Sequence, residues 1–137
     1  MGDRPTLTVK AAGSVPKIEL HFGHAQLHKF EVALWGPNHA GAQVVASLDR
    51  LTDHDVVTGD YSYFLGYSVQ ALDGLIVTCA STIISAVGGD GEQYSVRFAI
   101  TQDDLPLEPP ADSVVNRAGE LDAGLVTETA SWKLKVI

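Results

Sequence analysis

The chain has 137 residues, which is the usual size of a single domain. Apolar residues make up 45% of it and charged residues 19%, so collagen-like and wholly disordered chains are excluded. Acidic residues number 17 against 9 lysines and arginines, and the net charge of −8 argues against nucleic acid or an anionic membrane surface as a partner.

The chain begins without the apolar segment that a classical secretory signal requires. Its longest apolar stretch, residues 75–87, is interrupted by threonine and serine and is shorter than the ~20 residues of a membrane span. The single cysteine, Cys79, lies inside this stretch and is expected to pack as a small apolar side chain. The sequence therefore predicts a soluble protein with no membrane span, either cytoplasmic or exported without a classical signal peptide.

The first strands are expected at residues 7–10, 17–22 and 27–35. In the last two of these ranges apolar and polar side chains alternate with period two, which is typical of half-buried strands. Gly23 follows the first of the pair, and the Gly-Pro-Asn sequence at residues 36–38 ends the second. The pattern allows these two strands either to pair with each other or to cross from one sheet to another.

The clearest pattern lies in the middle of the chain. Strands are expected at residues 61–69, 75–87 and 94–101, joined by turns that are rich in glycine and aspartate. The middle stretch is apolar on both faces, which is typical of a central strand covered on both sides. The pattern predicts that these three strands form a meander.

The remaining elements are less regular. A weak strand is expected at residues 43–48. Residues 105–127 contain three prolines and are expected to form a long loop, a covering flap or an arm. The last strand, residues 130–137, presents Lys133 and Lys135 on one face, and lysine in this position is typical of an edge strand.

About seven or eight strands separated by turn signals predict an all-β fold, a single-domain antiparallel β-sandwich over residues 1–137. Immunoglobulin-like, jelly-roll and calcium-dependent lipid-binding topologies all stay open, because alternation does not say which strands pair. The disulfide of antibody domains is excluded by the single cysteine.

The candidate metal ligands are histidines and carboxylates. His21, His24 and His28 are spaced so that a strand would separate them, and a transition-metal site is therefore not favoured. Calcium is the better candidate ion, because it binds several oxygen ligands and sandwich loops can bring carboxylates together. The carboxylates that would have to converge are Asp49, Asp53, Asp55, Asp60, Asp90, Glu92, Asp103 and Asp104. No cofactor and no defined metal site are predicted.

Catalytic motifs are missing from the sequence. It contains no G-x-S-x-G, no H-E-x-x-H and no phosphate-binding glycine loop. Cys79 lies in an expected central strand, where a buried thiol is inert. We therefore expect that the protein is not an enzyme.

The candidate binding residues are Trp35, His39, Asp53 and Asp55. An exposed tryptophan is a typical anchor for a sugar ring or a protein partner, and His39 lies close to it in the sequence. The alternative for Trp35 is that residues 105–127 cover it and make it part of a second core.

The sequence favours a structural or interaction module, an accessory subunit that contacts protein and associates with copies of itself. The strand with Lys133 and Lys135 is the edge expected to be exposed for such contacts. The alternative is a calcium- or carbohydrate-binding, lectin-like module that uses the acidic loops and Trp35.

Overall fold

The computed structural model describes residues 4–36, 41–49, 57–85 and 91–137. Within these ranges the chain forms nine β-strands, one 3₁₀ turn and one turn of α-helix. They are, in chain order, β1 (Thr6–Val9), β2 (Lys17–Trp35), β3 (Ala42–Asp49), β4 (Val57–Phe64), the 3₁₀ turn (Val69–Leu72), β5 (Ile76–Ile84), β6 (Gln93–Gln102), β7 (Leu105–Pro106), α1 (Pro110–Ser113), β8 (Val114–Glu120) and β9 (Leu125–Val136).

The longest element, β2, runs through both sheets of the fold. The sequence predicts two strands here, whereas the structure has a single strand of 19 residues that changes partners in its middle. Residues 17–22 pair with β4 on one side and β6 on the other, and residues 27–35 pair with β5, with β3 on the opposite side. Of the two arrangements left open by the sequence, the crossing between sheets is the one observed.

Gly23 lies inside β2, at the irregular stretch where the strand leaves β4 and β6. Pairing with β4 is regular up to Phe22 and resumes at Gln26, so the residues between them bulge out of register. A Cβ at position 23 would lie 2.2 Å from Ser95 Oγ of β6. A side chain at this position would have to displace the Ser95 hydroxyl, and Gly23 does not end the strand as the sequence suggested.

The strands predicted as a meander all exist, but they do not pair with one another in sequence order. β4, β5 and β6 each pair with β2, and β5 lies between β2 and β9. The prediction that these three strands form a meander is therefore wrong. The Asp73-Gly74 sequence does not turn a hairpin: it follows the 3₁₀ turn, and the Gly74 amide donates to the Leu134 carbonyl of β9 at 2.9 Å.

Two sheets result from this pairing. Sheet A has the order β1-β9-β5-β2-β3, and sheet B has β4, β2 and β6 side by side, with β7 and β8 both paired to the far side of β6. Every described strand pair is antiparallel except β1 with β9. The two sheets pack together, which confirms the predicted β-sandwich.

The strand that carries Lys133 and Lys135 is not an edge. β9 pairs with β5 on one side and with β1 on the other, and the Lys133 amide donates to the Pro5 carbonyl at 3.0 Å. Outward lysines report only which face of a strand meets solvent, and they say nothing about whether both backbone edges are paired. The prediction of an exposed edge at this strand is therefore wrong.

The segment predicted as a loop or arm, about residues 105–127, is instead mostly ordered into the sandwich. It contains β7, α1, β8 and the first residues of β9. β8 pairs with β6 along its whole length, from Val114 opposite Ala99 to Glu120 opposite Gln93. Its proline residues lie ahead of β8, in β7 and around the start of α1, where a missing N–H donor is tolerated.

The core lies between the sheets and is built by the alternating inward residues of both. Val77, Cys79 and Ile83 of β5 are buried, while Ala80 on its other face is exposed. β5 is thus a central strand whose second face is covered only in part, at Ile76, which is buried. The largest fully buried side chains include Trp132, Phe22, Phe98, Ile18, Leu20, Ile100 and Leu134. No helix in the described part of the chain is long and apolar enough to cross a bilayer.

Candidate binding surfaces

Trp35 lies at the end of β2 on the outer face of sheet A. Its neighbours along the strand, Val32 and Leu34, are buried, and Trp35 itself is half-exposed. The indole Nε1–H donates to Thr78 Oγ1 of β5 at 2.8 Å. Of residues 105–127, β7 and β8 pair with β6 in the other sheet, and residues 125–127 pair with the end of β5 that lies away from Trp35. The ring is therefore held against the face of its own sheet, in a fixed orientation.

The other three candidate binding residues, His39, Asp53 and Asp55, lie outside the residues that the structure describes. So does Asp90 of the expected calcium ligands. Within the described ranges, no three or more histidine, cysteine, aspartate or glutamate side chains are grouped so that they could hold a metal ion.

The described carboxylates of the expected calcium set are dispersed. Glu92 and Asp103 flank opposite ends of β6, whose ten residues span about 33 Å. Asp103 accepts a hydrogen bond from Ser14 Oγ at 2.6 Å, and Lys17 pairs with Asp104 at 3.3 Å. These two ends cannot share one ion, and a calcium site in the acidic loop stays a prediction for Asp53 and Asp55.

His28 is a core residue. Its side chain is 1% exposed and stacks on Phe22, with 4.2 Å between the ring centroids. Nδ1 lies 3.0 Å from the Gln26 carbonyl and Nε2 lies 2.8 Å from the Tyr61 hydroxyl, so both ring nitrogens have partners. His28 thus differs from His21 and His24 of the same strand, which are both exposed.

A cluster of hydrogen-bonded polar side chains lies where β2 passes from one sheet to the other. Buried Gln26 donates through Nε2 to Glu92 Oε1 and to the Gln93 carbonyl, each at 2.9 Å. Ser85, also buried, donates to the other carboxylate oxygen of Glu92. The hydrogen bonds from Ser85 and Gln26 lower the pKa of Glu92.

We expect Glu92→Gln to destabilise the protein most at neutral pH. Because the pKa of Glu92 is lowered in the folded state, its charged form stabilises the fold above the ordinary carboxyl pKa of about 4.3. That contribution is lost as the pH falls through the lowered value. Urea titrations at several pH values should show a difference between wild type and variant that shrinks towards acid. A difference that is constant over this range would contradict the role of Glu92.

A second polar group lies under β8. Tyr94 donates to Glu128 through its hydroxyl, and Arg117 Nε lies 3.8 Å from the other oxygen of that carboxylate. The hydrogen bond to Glu128 raises the pKa of Tyr94 to about 12, and burial adds to the effect. These contacts join β6, β8 and β9 across the sandwich, and they are structural.

A cleft of about 330 Å³ lies on the outer face of sheet B. Its centre is His21, which contacts Asp60 of β4 through Nδ1 and lies opposite Arg97 of β6. A histidine held by a carboxylate is found in acid–base catalysis, but it is also an ordinary surface ion pair. The side chains are 48% and 83% exposed, and this degree of exposure favours the surface pair.

A larger cleft, of about 390 Å³, lies on the outer face of sheet A between β3, β2 and β5. Lys29 lies between Asp49 and Thr82 in one row across the strands. Glu31 lies between Ser47 and Ala80 in the next row. Trp35 is on the same face, four residues further along β2. The sequence pattern did not reveal this cleft, because Ser47, Asp49 and Thr82 come from separate strands.

The third surface, which we call the open rim, lies where the start of β3 meets the end of β4. Val44 is 53% exposed and Phe64 is 61% exposed. The Tyr67 hydroxyl, three residues after the end of β4, donates to the Gln43 side chain of β3. A cavity of about 160 Å³ is lined by Leu34, Gln43, Val44, Val45, Phe64, Leu65, Gly66 and Tyr67.

Comparison with known proteins gives no functional assignment. No family model matches the sequence, and no curated protein matches it. Among solved structures, the chain is similar to a DUF4425 family protein from Bacteroides ovatus, at 13% sequence identity and a TM-score of 0.45. The similarity covers 88% of this chain and 94% of that chain.

Proposed function

We propose that this protein works by contact with protein and associates with a second copy of itself through the open rim. The observation that carries the proposal is the exposure of Val44 and Phe64 at one rim of the sandwich. Large apolar side chains that are exposed together at the edge of a sheet mark a contact surface. Within the described part of the chain, β3 and β4 pair with β2 alone, and no described strand pairs with their other edges.

Charge favours a second copy at this place. The chain carries a net charge of −8, and two copies therefore repel each other over most of their surface. β3 is an exception, because residues 42–48 contain no charged side chain. β3 also lacks the lysine and proline residues that commonly keep edges apart, and the nearby Lys17 ammonium group lies 5.8 Å from the centre of the Phe64 ring. A two-fold contact places the same uncharged segment on both partners.

The geometry of β3 says which atoms carry the contact. Val32 of β2 pairs with Ala46 and the next residue, Ala33, pairs with Val44, so Val45 is an extra residue that bulges from the ladder. A bulge interrupts continuous pairing with another strand. The contact therefore rests on the side chains of Val44 and Phe64, with only short backbone pairing beside them.

Sedimentation velocity at rising protein concentration tests the proposal. We expect the wild type to form a dimer and the double variant Val44→Lys, Phe64→Lys to stay monomeric. In the variant dimer each copy contributes about 1.5 kcal/mol less from apolar burial, which weakens the dimer by about 3 kcal/mol. The Kd of dimerisation should therefore rise about 100-fold.

Leu125→Lys is the matched control, because Leu125 is 47% exposed at the start of β9, opposite Ile84 and away from the open rim. It should dimerise like the wild type. A wild type that stays monomeric at about 1 mM would contradict the proposal. A dimer that the rim variant leaves intact would contradict it equally.

A further inference from the structure

The cleft on the outer face of sheet A has the chemistry of a binding site for a polyhydroxylated molecule. It presents the carboxylates of Glu31 and Asp49, the ammonium group of Lys29, and the hydroxyls of Ser47 and Thr82. Donors and acceptors thus alternate over a small area. A sugar hydroxyl both donates and accepts, so it can bond to each of these groups.

The bottom of the cleft is formed in part by a small side chain, so that the polar groups around it stay accessible. Ala80 is exposed between Glu31 on β2 and Thr129 on β9. The hydroxyls continue past the cleft, since Thr82 Oγ1 lies 3.4 Å from Thr127 Oγ1. The outer face of sheet A therefore carries hydroxyls beside the cleft as well as within it.

Trp35 adds an apolar surface to the same face. Its N–H is bonded to Thr78, so the ring leans towards β5 and its polar atom is turned to the protein. The adjacent outward residue, Ala33, is only 3% exposed although it lies on the outer face of the sheet. Trp35 is half-buried, and the part of its ring that stays exposed is hydrocarbon, which suits the C–H face of a sugar.

We propose that the outer face of sheet A binds a neutral oligosaccharide, with Trp35 and Glu31 as its main contacts. Four residues separate the two along β2, which is about 13 Å, so a ligand that touches both is longer than one sugar ring. A peptide is less suited, because the backbone groups on this face are paired within the sheet and peptides add to sheets at edges. The acidic chain disfavours a polyanion.

Isothermal titration calorimetry with four neutral hexasaccharides, of cellulose, starch, xylan and mannan type, tests the proposal. We expect at least one to bind with a Kd of about 1 mM or tighter. Trp35→Ala and Glu31→Gln should each weaken that binding about tenfold or more, while Trp35→Phe should keep most of it. Glu120→Gln, an exposed change on β8 of the other sheet, is the matched control and should leave the affinity unchanged.

Three results would overturn the assignment. They are an absence of binding by all four sugars at about 1 mM, binding that Trp35→Ala leaves unchanged, and preferential binding of an acidic hexasaccharide of galacturonic acid. A variant of the open rim that lies outside sheet A separates the two proposals. Phe64→Lys, on β4 opposite Lys17, should weaken the dimer and bind the sugar as the wild type does, so the two proposals fail separately.

Discussion

Replacing Trp132 with alanine is expected to lower the free energy of unfolding by about 4 kcal/mol, because a fully buried indole is removed from the core. The side chain starts from β9 in sheet A, and its Nε1–H donates to the Asp112 carbonyl in α1 at 2.7 Å. α1 leads directly into β8 of sheet B. Trp132 therefore connects the two layers, and the truncation both opens a cavity and leaves a carbonyl without its donor.

Urea unfolding followed by circular dichroism measures this effect without relying on tryptophan fluorescence. Trp132→Phe keeps a ring but loses the N–H, and we expect it to cost about 2 kcal/mol. Trp35→Ala is the matched control on the outer face, where we expect about 1 kcal/mol or less. A loss below about 1 kcal/mol for Trp132→Ala would contradict the packing described.

Replacing His28 with alanine should cost about 3 kcal/mol, which is far more than a surface histidine would. The change removes a ring that stacks on Phe22, and it leaves the Tyr61 hydroxyl and the Gln26 carbonyl without a partner. Both consequences arise inside the fold, where unmet hydrogen bonds are costly.

Two further variants test the assignment of His28 to the core: one removes its hydrogen-bond partner, and the other changes an exposed histidine as a control. Tyr61→Phe removes the hydroxyl that contacts His28 and should cost about 1.5 kcal/mol. His24→Ala alters a histidine that lies in the same strand but is exposed, and it should change stability by less than about 0.5 kcal/mol. Urea unfolding of His28→Ala, Tyr61→Phe and His24→Ala measures the three losses of unfolding free energy. Equal effects of His24→Ala and His28→Ala would contradict the core assignment.

The alternation of apolar residues was enough to predict the faces of the strands. Ile18, Leu20 and Phe22 are all buried, as the period of two requires. The same alternation continues through His28, which shares the inward face with Phe30. The alternation in the sequence therefore indicates a buried position for His28, although histidine is more often found on the surface.

Strand pairing could not be predicted in the same way. The meander followed from the assumption that neighbours in sequence are neighbours in space, and β2 overturns it by pairing with four other strands. β8 was missed because Val114 and Val115 are followed by exposed polar and small residues, which give little alternation.

In the candidate surfaces too, the face on which a residue lies could be predicted, whereas its neighbours on other strands could not. Trp35 could be assigned to the outer face from its position after Leu34. The polar cleft beside it and the open rim could not be found, because each combines residues from strands whose pairing the sequence leaves open. Glu31 lies opposite Ser47 and Ala80 only once β3 and β5 are placed on either side of β2.

The measurement that tests the protein-contact proposal most directly is amide hydrogen exchange of the wild type at about 10 μM and about 1 mM. If two copies meet at the open rim, exchange in β3 and β4 slows at the higher concentration while exchange in β8, the edge of sheet B on the other side, stays the same. Equal rates in β3 and β4 at both concentrations, or slowing confined to β8, would contradict it.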